Sequence, residues 1–573
     1  MCGIVAVKKG SRATEKAFEG LKNLEYRGYD SAGIARLDDQ IHVKKGTGEV
    51  EDAIKEIGSG ESAIGHTRWA THGGVTDDNA HPHTDCEGKI AVAHNGIINN
   101  HEQLKEELKG RGHTFRSETD TEVIPHLIEE FLEENTLQEA AHKTMEKLEG
   151  SFAVTCLLES GDILAFRKDS PLVIGMGEDQ KFIASDFTAF LEHTKKAMFL
   201  EDGDVAILNG DLKVFNERKQ VDREIKEIDW NAGEATKAGH SHYMQKEIRE
   251  QKSTIKRAAF QDKKDLDKAV DMIEEAENIY LTACGTASYA AELGAKYLRD
   301  AGYKPIVEQA HELEYRADEI TEDDLVIAVS QSGETADLLS ALDKTEASQL
   351  AIVNVVGSTL ARESDHKIYV NAGPEIGVAS TKAFTAQLTA LKLISYVAKG
   401  ETDAGRSSLI KTAEKVDEVL KTNESEINEL AKYLAEKDDA YFIGRNLGRE
   451  LALESALKLK ELSYIHAEGF AGGEFKHGTL ALIEDGVPVF AFLEHGGEEI
   501  KSNAIEARSR GADLIGVGTE PVNGFEHFIK VPEDENREIL EVIPFQELAY
   551  LTALEKQNNP DKPRNLAKSV TVK

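Results

Sequence analysis

The feature that most constrains this chain is a strand–turn–helix unit that recurs from about residue 266 onward. Ile279–Thr282 reads as a short apolar strand running into Cys284-Gly285-Thr286 and a helix. Leu325–Val329 runs in the same way into Ser330-Gln331-Ser332-Gly333-Glu334-Thr335, and Ala351–Val355 supplies a third strand. Short, continuously apolar strands alternating with helices suit a parallel sheet covered on both faces, so this half is expected to be a doubly wound α/β fold. The unit then repeats. Tyr441-Phe442-Ile443-Gly444-Arg445 and its helix echo the first turn, and Val487–Leu493 echoes the second strand. Two α/β subdomains of like fold, 266–400 and 430–560, follow, with a C-terminal tail over 561–573 after the turn signals at Asn559-Pro560 and Lys562-Pro563.

The first 215 residues have a different texture. Strand-like runs at Ile4–Val7, Ala32–Ala35, Ile90–Ala93, Phe152–Leu158, Ile163–Ala165 and Val205–Leu208 are joined by helical patterns at Glu102–Lys109 and Thr121–Glu133. This predicts an α+β domain rich in antiparallel sheet over 1–215. The polar stretch 216–265 reads as a linker whose second half, His242–Arg257, is helical.

A formal net charge of −36 gives a surface that repels phosphate backbones and anionic membranes, which excludes nucleic-acid binding as the main role. No apolar run is long enough to span a bilayer, and the short apolar start is followed by Lys8-Lys9, unlike a secretory leader. The four cysteines (Cys2, Cys86, Cys156, Cys284) stand far apart with no CxxC pair, against a disulfide framework or a thiolate zinc site. A cytoplasmic protein is expected.

Cys2 is the first chemical candidate. Removal of Met1 would leave a thiol and a free α-amine on one residue, and an α-amine titrating near pH ~8 can act as a base. An amide-hydrolysing thiol needs oxyanion donors, which Asn95 and the Gly96 N–H can supply, a bidentate cation for a substrate carboxylate, as Arg68 can be, and an anion for an ammonium, as Asp120 can be. The competing reading is metal, because His66, His72, His81, His83, His94 and His101 are concentrated here and His81-Pro82-His83 looks like a ligand pair. Their intervals are irregular and carboxylates at ligand spacing are lacking, so no metal and no cofactor is expected.

The Cys2-Gly3-Ile4 start, Tyr26-Arg27-Gly28-Tyr29-Asp30-Ser31-Ala32-Gly33, His66–Gly73, Ala80-His81-Pro82-His83, His94-Asn95-Gly96-Ile97 and Thr119-Asp120-Thr121-Glu122 resemble the N-terminal-nucleophile glutaminase domain of class II amidotransferases. The Tyr26–Gly33 string is particular to one branch, the glutamine–fructose-6-phosphate aminotransferases. The resemblance implies an αββα domain with Cys2 as nucleophile and its own amine as base. It implies Asn95 and Gly96 as the oxyanion hole, Arg68, Thr71, His72, Gly96 and Asp120 around glutamine, and Trp69 as the gate of an internal ammonia channel.

In the second half, Ser330–Thr335 sits between a strand and a helix, where hydroxyls and N–H groups can cradle a phosphate; a plain serine cap with a glycine turn is the alternative, and three hydroxyls and a Gln within six residues tilt the reading toward binding. Over Glu450–Ile465 the charges Glu450, Glu454, Lys458 and Glu461 fall on one line of an otherwise mostly apolar helix. That line either faces a polar cavity or forms solvent-facing i,i+4 ion pairs, and on pattern alone the ion pairs lead.

Cys284-Gly285-Thr286, Ser330–Thr335, Glu375–Lys382, Ala456–Glu461, Glu474–Gly478 and Pro563–Val572 resemble the two sugar-isomerase (SIS) domains and tail of the same family, so the likeness spans the whole chain. It implies synthesis of glucosamine 6-phosphate from glutamine and fructose 6-phosphate, the first step toward UDP-N-acetylglucosamine. His477 would open the sugar ring, Lys568 would form a Schiff base at C2, and Glu461 would move a proton from C1 to C2 with Lys458 assisting. Thr286, Ser330, Gln331, Ser332 and Thr335 would hold the phosphate, with Ser380 and Glu454 near the sugar. The family takes the histidine matching His477 from a neighbouring subunit, which implies a homodimer. Ala287 and Thr479 stand where many members have Ser and Pro, and a changed sugar affinity is expected from them. A phosphoribosylamine-forming amidotransferase would need a pyrophosphate pattern in place of these motifs, and a silent sugar-phosphate sensor would lack the reacting groups that are present.

Overall fold

Period-two apolar runs fold the N-terminal part into two antiparallel sheets. The computed structural model describes every residue except Met1, Lys9, Ser11, Asp229, Asn231, Val572 and Lys573, and every side chain among them but those of Ala232 and Ala235. The expected loss of Met1 and the end of the tail motif at Val572 lie outside the described residues. The chain divides into two units, Met1–Ala235 with Ala567–Lys573, and Thr236–Leu566.

In the first unit, one sheet has eight strands, with Gly3–Lys8 inside it between Lys181–Ala184 and Ser62–Arg68. The other has seven, with Ile90–Ile98 between His83–Thr84 and Gly150–Leu158. Their facing sides share one apolar cluster, in which Ala6 and Ile64 from one pack with Ala91, Ala93, Ala153 and Ala165 from the other. Helix Ala13–Asn23 covers the outside of the first sheet with Ala13, Ala17 and Leu21. Helix Val123–Leu132 covers the second through Ile124, Leu127 and Ile128, against Val92, Val154 and Phe166. The fold is therefore an αββα sandwich. Helices Ala13–Asn23 and Leu137–Lys147 escape the periodicity reading, although Thr136 caps the latter by accepting the Glu139 N–H at 3.3 Å, a Thr-x-x-Glu signal visible in the sequence.

The second unit holds two five-stranded parallel sheets of the same strand order. The first runs Ile306–Gln309, Ile279–Ala283, Leu325–Ser330, Ser348–Val353, His366–Tyr369. The second runs His466–Ala471, Asp439–Gly444, Pro488–Phe492, Asp513–Gly518, His527–Lys530. Each is the doubly wound pattern, and the repeat read from the turns is real. Helix Tyr243–Ala259 buries Met244, Ile248 and Ile255 in the same apolar cluster that holds Ile327 and Ile352 of one sheet and Phe442 and Phe490 of the other. Strands Ile279–Ala283 and Leu325–Ser330 are neighbours, and their carboxyl ends form the switch point where such folds bind ligands.

Candidate functional site

Cys2 precedes the strand Gly3–Lys8, whose pairing sets Gly3 opposite Thr67 and brings Cys2 beside the end of Ser62–Arg68. The Trp69 N–H donates to Cys2 Sγ at 3.2 Å, and Asn95 Nδ2 donates to the Cys2 carbonyl at 2.8 Å. Burial pushes the Cys2 thiol up, opposed by the Trp69 N–H and by Arg68. A thiol in that state needs a base to become a nucleophile.

Gly96 sits in Ile90–Ile98 at φ +125°, where a Cβ would lie 2.0 Å from the Ser151 carbonyl oxygen, so only glycine fits. Asp120 is buried, and its Oδ2 accepts the Ile98 N–H at 2.8 Å. The loop before it is pinned by Glu122, whose carboxylate accepts from the backbone of Arg116 (2.8 Å) and Ser117 (2.6 Å). Arg68 is also buried, with its guanidinium donating to the carbonyls of His72, Gly73 and Gly74, so it shapes the loop that carries Thr71 and His72. Thr71 is exposed. His72 is half-buried with its Nδ1 unpartnered among the described residues, and it meets His101 edge to face. Trp69 is half-buried, edge to face on Tyr29 at 5.6 Å.

Among the described residues, none of the six histidines considered as metal ligands belongs to a group that converges on one point. His66, His81, His83 and His94 are buried in a network with Asn95, Thr119 and Thr121. Burial depresses all four, His66 to about 3, so they are neutral struts behind the site.

In the second unit, helix Leu447–Ser463 follows the first strand of the second sheet. Its charged line is buried: Glu450, Glu454 and Lys458 are each 0% exposed. This overturns the solvent-facing ion pairs favoured by pattern. Glu450 pairs with Lys296 and Arg449. Lys458 Nζ lies 2.6 Å from Glu461 Oε2 and 3.7 Å from Glu454 Oε1. Burial would lower the Lys458 ammonium, but Glu454 and Glu461 outweigh it and push it up to about 12. Glu454 is itself raised to about 8, chiefly by burial. Its Oε1 accepts from Thr286 Oγ1 at 3.3 Å, and its Oε2 has no partner among the described residues. The structure thus joins the Cys284-Gly285-Thr286 turn of one repeat to the charged line of the other.

At the neighbouring strand end, Ser330 Oγ accepts the Gly333 N–H (2.9 Å) and Ser332 Oγ the Glu334 N–H (3.2 Å), so two hydroxyls fold the loop that Gln331 and Thr335 also line. Gly333, at φ +65°, leaves no room for a Cβ beside Ser358. Ser380 donates to Glu375 Oε2 at 3.1 Å, and Glu375 Oε1 accepts the N–H groups of Thr381 and Ala383. The sequence gives Glu375 no role of its own, since nothing in its spacing says that it is buried under a helix start. Ala287 is half-buried against the core. His477 is exposed after the short turn Glu474–Lys476. Lys568 is half-buried and lies in the tail segment grouped with the first unit.

The SIS domain family model matches residues 272–395 and 433–544, and the glutamine amidotransferase domain model matches 66–192. Over its full length, and theirs, the chain is 44% identical to the glutamine–fructose-6-phosphate aminotransferase [isomerizing] of Methanothermobacter thermautotrophicus and 45% identical to that of Thermococcus kodakarensis. The solved C-terminal domain of glucosamine-fructose-6-phosphate aminotransferase from Francisella tularensis is 35% identical with a TM-score of 0.52, covering 57% of this chain and 100% of that one. The chain belongs to the isomerizing glutamine–fructose-6-phosphate aminotransferase family.

Proposed function

We propose that this chain converts fructose 6-phosphate and glutamine to glucosamine 6-phosphate and glutamate. The observation that carries the reading is the buried Glu454–Lys458–Glu461 line bonded to Thr286 at the ligand-binding end of the first sheet. A carboxylate beside a buried ammonium is what proton transfer on a sugar requires.

In this reading, Met1 is removed and the Cys2 amine takes the thiol proton. The thiolate attacks the glutamine amide carbon, Asn95 and the Gly96 N–H hold the oxyanion, and collapse releases ammonia. Water then cleaves the thioester to glutamate. Arg68, Thr71, His72 and Asp120 hold the glutamine, and Trp69 gates the passage of ammonia. At the sugar, Thr286, Ser330, Gln331, Ser332 and Thr335 take the phosphate, and Ser380 and Glu454 border the chain of carbons. His477 opens the ring, and Lys568 condenses with the C2 ketone, losing water. Ammonia displaces the lysine amine to leave the fructosimine. Glu461 takes a proton from C1 and returns it to C2, with the Lys458 ammonium beside it.

The domain limits proposed are 1–215 and the two sugar-isomerase domains 266–400 and 430–560, with 561–573 as the active-site tail; the stretch 216–265 is not a free linker, because Ile225–Glu227 pairs with Lys196–Phe199 in a sheet of the first unit and Tyr243–Ala259 packs into the core of the second. The exposed position of His477 suits a residue presented to a second copy, which supports a homodimer as the working form, and a cytoplasmic location is part of the same proposal. No helix among the described residues is long and apolar enough to cross a membrane. The test is incubation with both substrates and chromatography of the products. Equal glutamate and hexosamine phosphate support the reading; glutamate without amino sugar, or neither product, refutes it.

A further inference from the structure

Four side chains outside both sites converge on one point in the first unit. Cys86 lies in the turn between His83–Thr84 and Ile90–Ile98, His113 just after helix His101–Gly110, and His126 and Glu129 one turn apart on Val123–Leu132. Cys86 Sγ lies 3.5 Å from His113 Nδ1 and 3.7 Å from His126 Nδ1. The two Nδ1 atoms are 3.2 Å apart, and Glu129 Oε2 is 3.0 Å from His113 Nδ1 and 3.3 Å from His126 Nδ1. We infer that Cys86, His113, His126 and Glu129 form a tetrahedral binding site for a structural zinc ion.

The distances are those of a coordination shell. Zinc bonds of about 2.0–2.1 Å to nitrogen or oxygen and about 2.3 Å to sulfur give tetrahedral edges of about 3.3 Å between the light atoms and about 3.6 Å from sulfur. The five separations above scatter around those two values. Hydrogen bonding alone explains the cluster poorly. Each Nδ1 has a single in-plane site, either a proton or a lone pair, yet the His113 Nδ1 faces a sulfur, another imidazole nitrogen and a carboxylate oxygen at once, so only one of the three can be a straight hydrogen bond. A cation at the centre takes a lone pair from every one of the four atoms. The set of one thiolate, two imidazoles and one carboxylate suits zinc, and four protein ligands leave no open position for catalysis.

An outer layer is present as well. His113 Nε2 lies 3.3 Å from Glu130 Oε1, and Glu130 is held in turn by Arg111 at 2.7 Å. Such a partner fixes the ring so that Nδ1 faces the metal. An ion held there would tie together a hairpin turn, a helix end and a second helix, and its ligands at 113 and 126 bracket the segment that carries Asp120.

The test uses the full-length protein without an affinity tag. Zinc content is measured after purification, and the protein stripped with a chelator is titrated with Co²⁺ alone. About one zinc per chain is expected, with cobalt giving thiolate charge-transfer absorption and intense tetrahedral bands. Cys86→Ser, at an exposed position that folding tolerates, should lose the charge-transfer absorption and weaken zinc at least about tenfold. Zinc should raise the unfolding temperature of the wild type and leave that of Cys86→Ser unmoved. Absence of a cobalt–thiolate band in the wild type overturns the inference. So does zinc content that survives Cys86→Ser but falls in His42→Ala, because the exposed Asp38, Asp39 and His42 are the other metal-capable group among the described residues.

Discussion

Lys458 and Glu461, one helical turn apart, form an ion pair at 2.6 Å in which the ammonium is fully buried and the carboxylate keeps part of its surface open. In the proposed reaction the exposed end of the pair is the one that reaches substrate. Replacing Glu461 by Gln keeps the shape and removes the base. Synthesis of amino sugar should fall by about 10²–10⁴-fold while glutamine hydrolysis is unchanged. Equal loss of both activities in coupled assays would place Glu461 in the scaffold instead.

Lys458→Met should act on stability first. It leaves the Glu461 carboxylate without its cation, and breaking a buried pair from one side costs about 3–5 kcal/mol. Urea unfolding of Lys458→Met beside Lys458→Met/Glu461→Gln reads this directly. The second change should recover part of the loss, and no recovery would mean that Glu461 does not depend on the ammonium.

Glu454 makes stability depend on pH. Its carboxyl is raised from an ordinary 4.5 to about 8, first by burial and then by Glu461, against the lowering effect of Lys458. The folded chain therefore keeps a proton that the unfolded chain releases. This contribution is complete below pH 4.5 and is lost as the pH climbs through about 8, with a slope of at most about 1.4 kcal/mol per unit. The difference in unfolding free energy between the wild type and Glu454→Gln should shrink or change sign along that ramp. A difference independent of pH between 5 and 8 would mean the carboxyl is ordinary.

The doubly wound α/β character of the second unit was legible because a parallel sheet writes itself as short apolar runs, each followed by a turn of small and hydroxyl residues. The burial of Glu450, Glu454 and Lys458 was not. Charges at i and i+4 look alike in water and in a cavity, and only the packing of helix Leu447–Ser463 against the strands and helices of both repeats distinguishes them. Arg68 carries a similar lesson. Sequence chemistry presents it as a free fork for a carboxylate, whereas three donor contacts go to the carbonyls of residues 72–74, a use that no spacing rule reveals. The Cys86 cluster is hidden for a third reason: its ligands come from three elements, and only the His126–Glu129 pair shows helical spacing.

Asn95 has two N–H donors, and one is given to the Cys2 carbonyl at 2.8 Å, which fixes the amide beside Cys2. Asn95→Ala should lower glutamine hydrolysis by about 10²–10³-fold, the usual loss for one oxyanion donor, mostly in kcat. Cys2→Ala should abolish it, and in both variants interconversion of the 6-phosphosugars by the second unit should persist. Full hydrolysis in Asn95→Ala would remove Asn95 from the oxyanion hole.

Gly96 and Gly88 share a positive φ and differ in what surrounds them, which turns a backbone argument into a measurement. At Gly96 a methyl group would meet the Ser151 carbonyl oxygen at 2.0 Å in the middle of a paired strand, whereas at Gly88 nothing lies within 4 Å. Gly88→Ala should therefore cost only the left-handed backbone penalty, about 1–2 kcal/mol. Gly96→Ala must also force Ile90–Ile98 away from Gly150–Leu158, for a total above about 3 kcal/mol. Thermal unfolding of the two variants side by side decides it. A Gly96→Ala protein as stable as Gly88→Ala would show that the strand yields there, and the oxyanion role of the Gly96 N–H, which depends on that strand holding its place, would fall with it.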